Sequence, residues 1–326
     1  MVTLKRPHLI LLLLISVSAV SAIAEDRNES MQRLSKLDKA WSGDLDGMIK
    51  RRRICALVTY NKMLYFIDKG TQRGVVYEAL EEFEKFVNKK HKTGTLKIDV
   101  VFIPVNRDEL LLALLAGKGD IAAANLTITD ARSKLVAFSD PLLTGVSEVV
   151  VTGPGGPEVT SLAGLSEQEI YVRRSSSYYE SLTRLNETFR QQGRPLVRLK
   201  SADEHLEDSD LLEMVNAGLI PMVIVDSHKV QFWREIFSDI RGQDDIAVNE
   251  GGRIAWAYRK NSPQLAKTIN EFLKSHKKGT LMGNVLYKRY LRENKWVRNA
   301  LSEKELEKFR DTLALFQKYA GQYDFD

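Results

Sequence analysis

The chain has 326 residues, enough for about two domains, and it is 44% hydrophobic and 28% charged. This balance excludes a disordered or fibrous protein. The net charge of +5 falls to about +3 without Lys5 and Arg6, which belong to the N-terminal segment described next. So small and dispersed a positive charge does not indicate nucleic-acid binding, and no nucleic-acid partner is expected.

The first 24 residues have the features of a secretory signal peptide. Lys5 and Arg6 precede an uncharged apolar stretch, which ends in the A-x-A cleavage pattern Ala22-Ile23-Ala24. An uncleaved anchor is the alternative, but the apolar run is short for a membrane span, which needs about 20 residues. We therefore expect residues 1–24 to be removed and the chain to reside in the periplasm, free or associated with the outer or inner membrane. Residues 25–50 are polar and weakly patterned, and we interpret them as a leader.

From residue 54 onward, strand and helix patterns alternate along the chain. Strands are predicted at residues 54–60, 96–104, 120–126, 147–153, 169–174, 196–200, 220–227 and 251–260. Helices are predicted at residues 74–90, 106–120, 177–192, 208–218 and 228–237, with two more in 262–291 separated near Gly279. This alternation predicts an α/β fold with mostly parallel sheets, arranged in two blocks on either side of the segment 153–158.

Polar residues that directly follow predicted strands are the candidate site, because open α/β sheets bind ligands at the carboxyl ends of their strands. Thr127 and Arg132 follow one such strand, and a guanidinium matches a carboxylate. Ser176 and Ser177 precede a helix whose free amides favour an anion. Asp226 could accept an ammonium group. Each of these residues could instead cap a helix or form a surface ion pair, but together they suit a zwitterion.

Several stretches of the chain resemble the extracellular solute-binding proteins of family 3. These are GVVYEAL, GKGDIAAANLTITDARSKLVAFSDPLL and MVIVDS, and the strongest motif is T-x-x-x-x-R followed by F-S-x-P, from Thr127 to Pro141. The resemblance covers about Arg53 to Leu291. It implies a two-lobed periplasmic-binding-protein fold, in which each lobe is a mostly parallel sheet flanked by helices and two hinge strands join the lobes.

The resemblance also implies roles for individual residues. Arg132 would grip a ligand carboxylate with support from Thr127, Asp226 would receive an amino group, and Ser177 would add donors from the second lobe. Tyr65 and Phe66, in the loop after the first strand, could stack on a ligand or pack that loop. The expected ligand-binding residues are Arg132, Thr127, Asp226, Ser177, Ser176, Tyr65, Phe66 and Asn125.

The domain limits follow from the same resemblance. We expect the first lobe to comprise residues 51–146 and 257–297, the second lobe residues 147–256, and a C-terminal helical linker residues 298–326. The linker opens with the capping-box pattern Ser302-x-x-Glu305 and carries an apolar stripe. Together with RRSSSYYESL, it resembles the connection in the membrane-bound lytic transglycosylase F family, where a family-3-like module precedes a lysozyme-like catalytic domain.

No residues with catalytic or metal-binding spacing stand out. The histidines are scattered, the serines lack a G-x-S-x-G context, and Glu78 and Glu148 are acids near predicted strand ends with no supporting motif. Cys55 is the single cysteine and is expected to be a core residue. We therefore expect no catalytic residues, no metal, no cofactor and a monomer.

Three functions remain open at this stage. The first is a sensor module that binds an amino-acid-like or muropeptide-like ligand beside a transglycosylase domain. The second is a free binding protein that delivers amino acids to an ABC permease. The third, an active hydrolase or transglycosylase within these residues, has no supporting motif.

Overall fold

The structure is a computed structural model that describes residues 40–292. The predicted signal peptide, most of the predicted leader and the predicted C-terminal linker lie outside the described residues. The limits expected for the two lobes remain predictions.

Helices and strands alternate along the described chain, as the sequence pattern predicts. The helices are α1 Leu45–Lys50, α2 Val75–His91, α3 Leu110–Leu115, α4 Asp130–Leu135, α5 Ser177–Gln191, α6 Asp208–Asn216, α7 Ser227–Trp233, α8 Pro263–His276 and α9 Leu281–Leu291. The strands are β1 Arg53–Val58, β2 Phe66–Asp68, β3 Thr71–Arg73, β4 Asp99–Pro104, β5 Ile121–Thr127, β6 Ala137–Phe138, β7 Leu143–Thr152, β8 Glu169–Val172, β9 Arg198–Ser201, β10 Met222–Asp226 and β11 Arg241–Tyr258.

Within residues 40–292, nine strands form one mixed sheet that runs through both lobes. Its order is β4-β1-β5-β11-β7-β10-β8-β9, with β6 added beside β11. In the first lobe, β1 is parallel to β4 and to β5, and in the second lobe, β8 is parallel to β10 and to β9. The two-lobed α/β fold with mostly parallel strands in each lobe is thus confirmed.

The long strands β7 and β11 connect the two lobes as a hinge. They are antiparallel to each other, and β11 also pairs with β5 in the first lobe while β7 pairs with β10 in the second. The ladder between them shifts register several times, and Gly145 and Gly251 have φ values of 68° and 69°. Left-handed backbone is inexpensive only for glycine, so these two positions allow both strands to bend near the edge of the first lobe.

Apolar faces of the helices hold the first lobe together. Val76, Leu80, Phe83 and Val87 recur on one side of α2 and are buried. The Phe83 ring packs edge-on against Trp256 of β11 at a centroid distance of 5.8 Å. Burial of such aromatic side chains contributes most of the stabilisation of a core of this kind.

Among the elements that differ from the sequence prediction are one strand and one hairpin that form through backbone pairing rather than through side-chain pattern. The predicted last strand begins at Gly251, but β11 begins at Arg241, since the polar segment 241–250 is held by its ladder to β7. The β2–β3 hairpin has short strands with few apolar residues, and its turn places Lys69 and Gly70 at positive φ. Neither feature has the apolar periodicity on which the prediction depends.

Residues 41–50, interpreted from the sequence as leader, pack against the first lobe. Asp44 caps α1 and also accepts hydrogen bonds from the backbone of Gln264 and Leu265, at 2.7 and 2.9 Å. The backbone N–H of Trp41 donates to the carbonyl oxygen of Gly117. One carboxylate thus fixes the first turn of two helices that are distant in sequence.

Asp120 ties this N-terminal segment to β1 and β11. Its buried carboxylate forms ion pairs with Arg51 and with Arg259, and it accepts the backbone N–H of Cys55 at 2.8 Å. Cys55 itself is buried, as expected. Because both guanidinium groups would lose their buried counter-ion together, the fold depends strongly on this side chain.

We expect Asp120→Asn to lower the free energy of unfolding by about 3 kcal/mol or more, because it leaves buried cations without a counter-charge. Urea denaturation followed by circular dichroism measures this change. The matched control is Asp99→Asn, which removes an exposed acid of β4 and should change the stability by less than about 0.5 kcal/mol. Equal effects of the two substitutions would contradict the anchoring role.

Candidate ligand-binding cleft

A polar cleft lies between the lobes and collects most of the predicted site residues. Its space, counted together with open solvent at its mouth, is about 270 Å³, and it is lined by Arg107, Asn125, Thr127, Arg132, Arg173, Ser176, Ser177, Tyr178, Asp208, Asp226 and Lys229. These residues lie at the ends of strands β5 and β10, shortly after β4 and β8, or in the first turn of the helices α4 to α7. The cleft therefore stands at the carboxyl ends of the parallel strands, where α/β sheets bind ligands.

Arg132 lies buried at the first-lobe side of the cleft. Its Nη1 donates to the carbonyl oxygen of Thr127 at 3.0 Å, and its Nη2 donates to the carbonyl oxygen of Ser175 in the second lobe at 2.8 Å. Its Nε lies 3.5 Å from the half-buried carboxylate of Glu180. Burial lowers the pKa of Arg132, yet a guanidinium remains charged at neutral pH and has five N–H donors. The contacts above leave some of these donors free.

The hydroxyl groups around Arg132 divide into caps and cleft groups. Thr129 caps α4 by accepting the backbone N–H of Arg132. Ser176 caps α5, and its hydroxyl donates to the carbonyl oxygen of Arg173 at 2.7 Å. Ser177 donates to Thr127 Oγ1 at 3.3 Å. Thr127 and Ser177 thus meet across the cleft, one from each lobe.

Asp226 ends β10 and is almost fully buried, but it does not cap α7 with its side chain. Its Oδ2 lies 2.8 Å from Lys229 Nζ and accepts the Asn125 amide at 3.4 Å, whereas its Oδ1 has no partner among the described residues. One oxygen of this carboxylate is therefore already neutralised within the protein. The other remains able to accept a hydrogen bond.

Lys229 is the centre of a buried charge cluster beside Asp226. Its ammonium contacts Asp208 Oδ2 at 2.6 Å and the Tyr178 hydroxyl at 3.1 Å, in addition to Asp226. Asp208 also forms an ion pair with Arg173. Although burial favours a neutral carboxyl, the two cations hold the pKa of Asp208 well below its usual range. These contacts engage the ammonium of Lys229 on three sides and keep it in place.

Arg107 joins the two lobes through a bidentate ion pair. It follows β4 in the first lobe, and its Nε and Nη2 donate to the two carboxylate oxygens of Glu207, at 2.9 and 2.8 Å. Glu207 belongs to the N-terminus of α6 in the second lobe and also accepts the Asn61 amide at 3.0 Å. Both partners are buried, so this pair holds the lobes in contact more strongly than an exposed pair would.

Glu148 is a buried acid on the hinge strand β7. It is 1% exposed, and neither of its carboxylate oxygens has a hydrogen-bond partner within residues 40–292. Burial, together with the nearby charge of Asp226, raises the pKa of Glu148, and the side chains of Ser181, Ser177 and Arg184 only partly oppose this. Among the buried acids of the cleft region, Glu148 therefore stands out as the one without a matching cation.

Of the three remaining predicted residues, Asn125 lies in the cleft and Tyr65 and Phe66 lie outside its lining. Asn125 lines the cleft with its backbone at φ 55°, a left-handed conformation that asparagine tolerates better than most residues. Tyr65 and Phe66 are buried away from the cleft lining. The Tyr65 ring stacks on Phe102 at 5.7 Å, and its hydroxyl donates to Gln72 at 2.8 Å. The Tyr65 ring is thus packed inside the first lobe, and neither Tyr65 nor Phe66 is among the residues that line the cleft.

A larger cavity of about 670 Å³ lies next to the cleft but has a different character. Its walls are mainly apolar, with Val76, Trp256 and Leu286 among them, and Asn125 is shared with the cleft. Ligand orientation requires convergent polar groups, and these are in the cleft. The apolar cavity is therefore the weaker candidate for an oriented site.

Sequence reasoning missed Arg107, Lys229 and Glu207, and it considered Glu148 only as an acid near a predicted strand end without a supporting motif. Arg107 follows a predicted strand by three residues, so the rule that found Arg132 could also have found it. Lys229 follows Asp226 by three residues, which is a helical neighbour spacing. Glu148 is a charged residue inside an otherwise apolar strand, and that was its only signal.

The described residues do not show a metal or membrane-spanning feature. Residues 40–292 contain no group of three or more histidine, cysteine, aspartate or glutamate side chains arranged to hold a metal ion. No helix in this range combines the length and apolar character that a bilayer span requires.

Comparison with known families decides which class of protein this fold represents. The sequence pattern of the bacterial extracellular solute-binding proteins, family 3, matches residues 53–293. The chain belongs to this family. The resemblance noted in the sequence is thus confirmed over the two lobes, and the described residues form a family 3 solute-binding domain.

Known relatives of this solute-binding chain fall into two groups. A membrane-bound lytic murein transglycosylase F of Pseudomonas putida is 29% identical over 236 residues, which are 72% of this chain and 45% of that protein. The chain therefore spans about half the length of that relative. Among solved structures, a putative ABC-transporter binding component of Wolinella succinogenes complexed with lysine has a TM-score of 0.62 at 21% identity. The match covers 76% of this chain and 99% of that one.

A second solved structure supports the same fold. An ancestral arginine-binding protein bound to arginine has a TM-score of 0.58 at 21% identity, covering 74% of this chain and 98% of that one. At this identity the likeness establishes the fold of this solute-binding chain.

We expect Arg107→Met to separate the lobes, because it leaves buried Glu207 without its bidentate partner. Loss of one partner of a buried pair costs about 3–5 kcal/mol in the state that contains it. Small-angle X-ray scattering should then give a larger radius of gyration. The control is Lys62→Met, since Lys62 forms only exposed pairs of 3.6 Å with Asp210 and Glu213. A variant of Arg107 with unchanged scattering would argue against this pair as the closing contact.

His228 should make the protein less stable in acid. Its ring is buried beside Lys229, and burial lowers its pKa to about 4, whereas an unfolded histidine has a pKa of about 6.5. The unfolded chain therefore binds the proton first, and stability falls as the pH drops from 6.5 toward 4. Between pH 7 and pH 5, the free energy of unfolding measured by urea denaturation should fall by about 2 kcal/mol less in His228→Gln than in the wild type. His91→Gln, at an exposed position, should resemble the wild type.

Proposed function

We propose that the cleft binds a small ligand through a carboxylate that Arg132 receives. The observation that carries this proposal is the difference between Arg132 and the other buried arginines of the cleft. Arg107 and Arg173 are neutralised by the buried carboxylates of Glu207 and Asp208. Arg132 instead bonds to two backbone carbonyl oxygens and approaches only the partly exposed Glu180. A buried cation with spare donors favours an anionic ligand group.

Further cleft groups suit an amino-acid-like or peptide-like ligand. Thr127, Ser176 and Ser177 provide hydroxyl groups near Arg132, and the N-terminus of α5 adds the positive end of its helix dipole. The free Oδ1 of Asp226 can accept a ligand ammonium, while Asn125 holds the other oxygen. The arginine-bound and lysine-bound structures with the same fold support a ligand of this class.

For the whole protein, we propose a periplasmic sensor module that accompanies a lytic transglycosylase. The transglycosylase F relatives support it, and a peptidoglycan fragment would then be the ligand. These 326 residues would bind without catalysing a reaction.

The alternative is a free binding protein that works with an ABC permease. The ABC-transporter binding component with the same fold supports this candidate. The ligand separates the two functions, since the alternative requires tight binding of a free amino acid and the sensor function requires binding of a peptidoglycan peptide.

We expect Arg132→Met to weaken ligand binding by about 100-fold or more, because the ligand carboxylate would be desolvated without a counter-charge. Isothermal titration calorimetry with the twenty free amino acids and with a peptidoglycan stem peptide measures the affinity. Arg174→Met is the matched control, because Arg174 is an exposed neighbour of the same cleft. Unchanged binding by Arg132→Met, or no binding of any of these compounds by the wild type, would refute the proposed role of the cleft. Release of soluble fragments from purified peptidoglycan would refute the absence of catalysis.

A further inference from the structure

Three buried carboxylate oxygens near the cleft have no hydrogen-bond partner within residues 40–292. They are Oδ1 of Asp226 and both carboxylate oxygens of Glu148. Both residues are 1% exposed. Isolation of an ionised carboxylate from water is costly unless a cation or a hydrogen-bond donor compensates for it. When both carboxyl groups are ionised, these three oxygens therefore lack a compensating partner among the described residues.

The sheet places these two acids side by side on one face. Asp226 of β10 is the direct cross-strand partner of Glu148 of β7 in an antiparallel ladder. Directly paired residues of neighbouring strands project to the same side of a sheet, with Cβ atoms about 5 Å apart. Because Asp226 lines the cleft, Glu148 lies on the cleft side of the sheet, next to the cleft-lining Ser177, although it is not itself a lining residue.

The charged groups around Glu148 come from three elements, and a fourth supplies an uncharged neighbour. Asp226 approaches from β10 and Arg184 from α5. Arg132 of α4 is also close, because the charge of Glu148 partly opposes the lowering of the Arg132 pKa by burial. On β11, the paired residue is the uncharged Asn249, whose side chain accepts from Arg184. Arg184 is directed toward Ser181 and Asn249 and forms no ion pair with Glu148.

Lys229 does not neutralise Glu148 or contact Oδ1 of Asp226. Its ammonium is committed to Asp208, Tyr178 and the opposite oxygen of Asp226. A lysine ammonium has three donors, and these three acceptors use them. Lys229 is therefore not available to Glu148, and an ionised Glu148 would need a cation from outside the described residues.

We propose that Glu148 and Oδ1 of Asp226 together form the subsite for the ammonium group of the ligand. Glu148 is then the residue that selects ligands carrying an amine beside the carboxylate held by Arg132. Thr127 links the two subsites, since its carbonyl oxygen accepts from Arg132 and its hydroxyl meets Ser177, the neighbour of Glu148. This assignment rests on the proposed carboxylate-binding function of the cleft and adds the second half of its ligand.

The subsite couples ligand binding to a proton. Glu148 holds a proton more readily than an exposed glutamate because of its burial and its acidic neighbour. The arrival of an ammonium favours the ionised form, so binding releases that proton and strengthens as the pH rises. His228 remains neutral down to about pH 4, so it does not contribute to this dependence between pH 5 and pH 8.

The test uses the wild-type chain and Glu148→Gln, which keeps the shape of the side chain and removes its titration. The ligands are the twenty free amino acids and, for each one that binds, the analogue in which hydrogen replaces the amino group. Calorimetry is run from pH 5 to pH 8 in two buffers of different ionisation enthalpy. We expect Glu148→Gln to weaken amino-acid binding by about 10- to 100-fold, to lose the pH dependence and proton release, and to abolish most of the preference for the amine over its analogue.

Two further variants keep the result interpretable. Glu148→Asp retains a carboxylate and should keep the pH dependence at reduced affinity. Glu187→Gln removes an exposed acid of α5 that pairs with Arg190, and it should bind as the wild type does. Unchanged affinity and proton release in Glu148→Gln would overturn this subsite while leaving the role of Arg132 intact. No binding of any amino acid by the wild type would overturn the ammonium subsite and refute a free amino acid as the ligand.

A measurement without ligand gives an independent check. The wild type should lose stability relative to Glu148→Gln as the pH rises from 4 to 8, because ionised Glu148 has no internal partner. The urea midpoint of Glu148→Gln should therefore exceed that of the wild type at pH 8 and match it near pH 4. A lower midpoint of Glu148→Gln at pH 8 would show that the carboxylate serves the fold itself, and it would overturn the proposal.

Discussion

Charges buried between the two lobes have to be matched, and this constraint organises the cleft. Water is largely excluded there, so an uncompensated ion would cost several kcal/mol. Arg107 meets Glu207, and Lys229 and Arg173 meet Asp208. The pair of Arg107 and Glu207 joins the two lobes, so it forms only when they are in contact, whereas the pairs of Asp208 lie within the second lobe. The contact between the lobes and the charge balance of the cleft therefore depend on each other.

The same constraint explains why binding and closure should be linked in this protein. Arg132 reaches from the first lobe to a carbonyl oxygen of the second, and Ser177 reaches back to Thr127. A ligand held by these groups would contact both lobes at once, and it would add its own charges to a nearly balanced set. The hinge strands β7 and β11 permit such a motion because the backbone bends at their glycines instead of breaking the sheet.

The sequence predicted the parts of this structure that depend on local pattern. Apolar periodicity located α2 and the buried strand β5, and the rule about strand ends brought Arg132, Ser177 and Asp226 to one cleft. It could not predict that Lys229 already occupies one oxygen of Asp226, because that contact depends on how α7 leaves β10. Nor could it separate stacking from packing for Tyr65, whose partner Phe102 lies on another strand.

The indole of Trp233 lies near helix α9 at the junction between the lobes, so its fluorescence depends on the contact between them. Helix α9 is fixed to α2 of the first lobe, where Arg289 and Tyr290 contact Glu78, and it also touches α7 of the second lobe. Trp233 of α7 lines a small space shared with Leu291 of α9 and Met63 of the first lobe. Separation of the lobes would bring water to this indole, whereas Trp41 and Trp256 would remain packed inside the first lobe. Among the tryptophans within residues 40–292, Trp233 is therefore the one whose fluorescence should change when the lobes move apart.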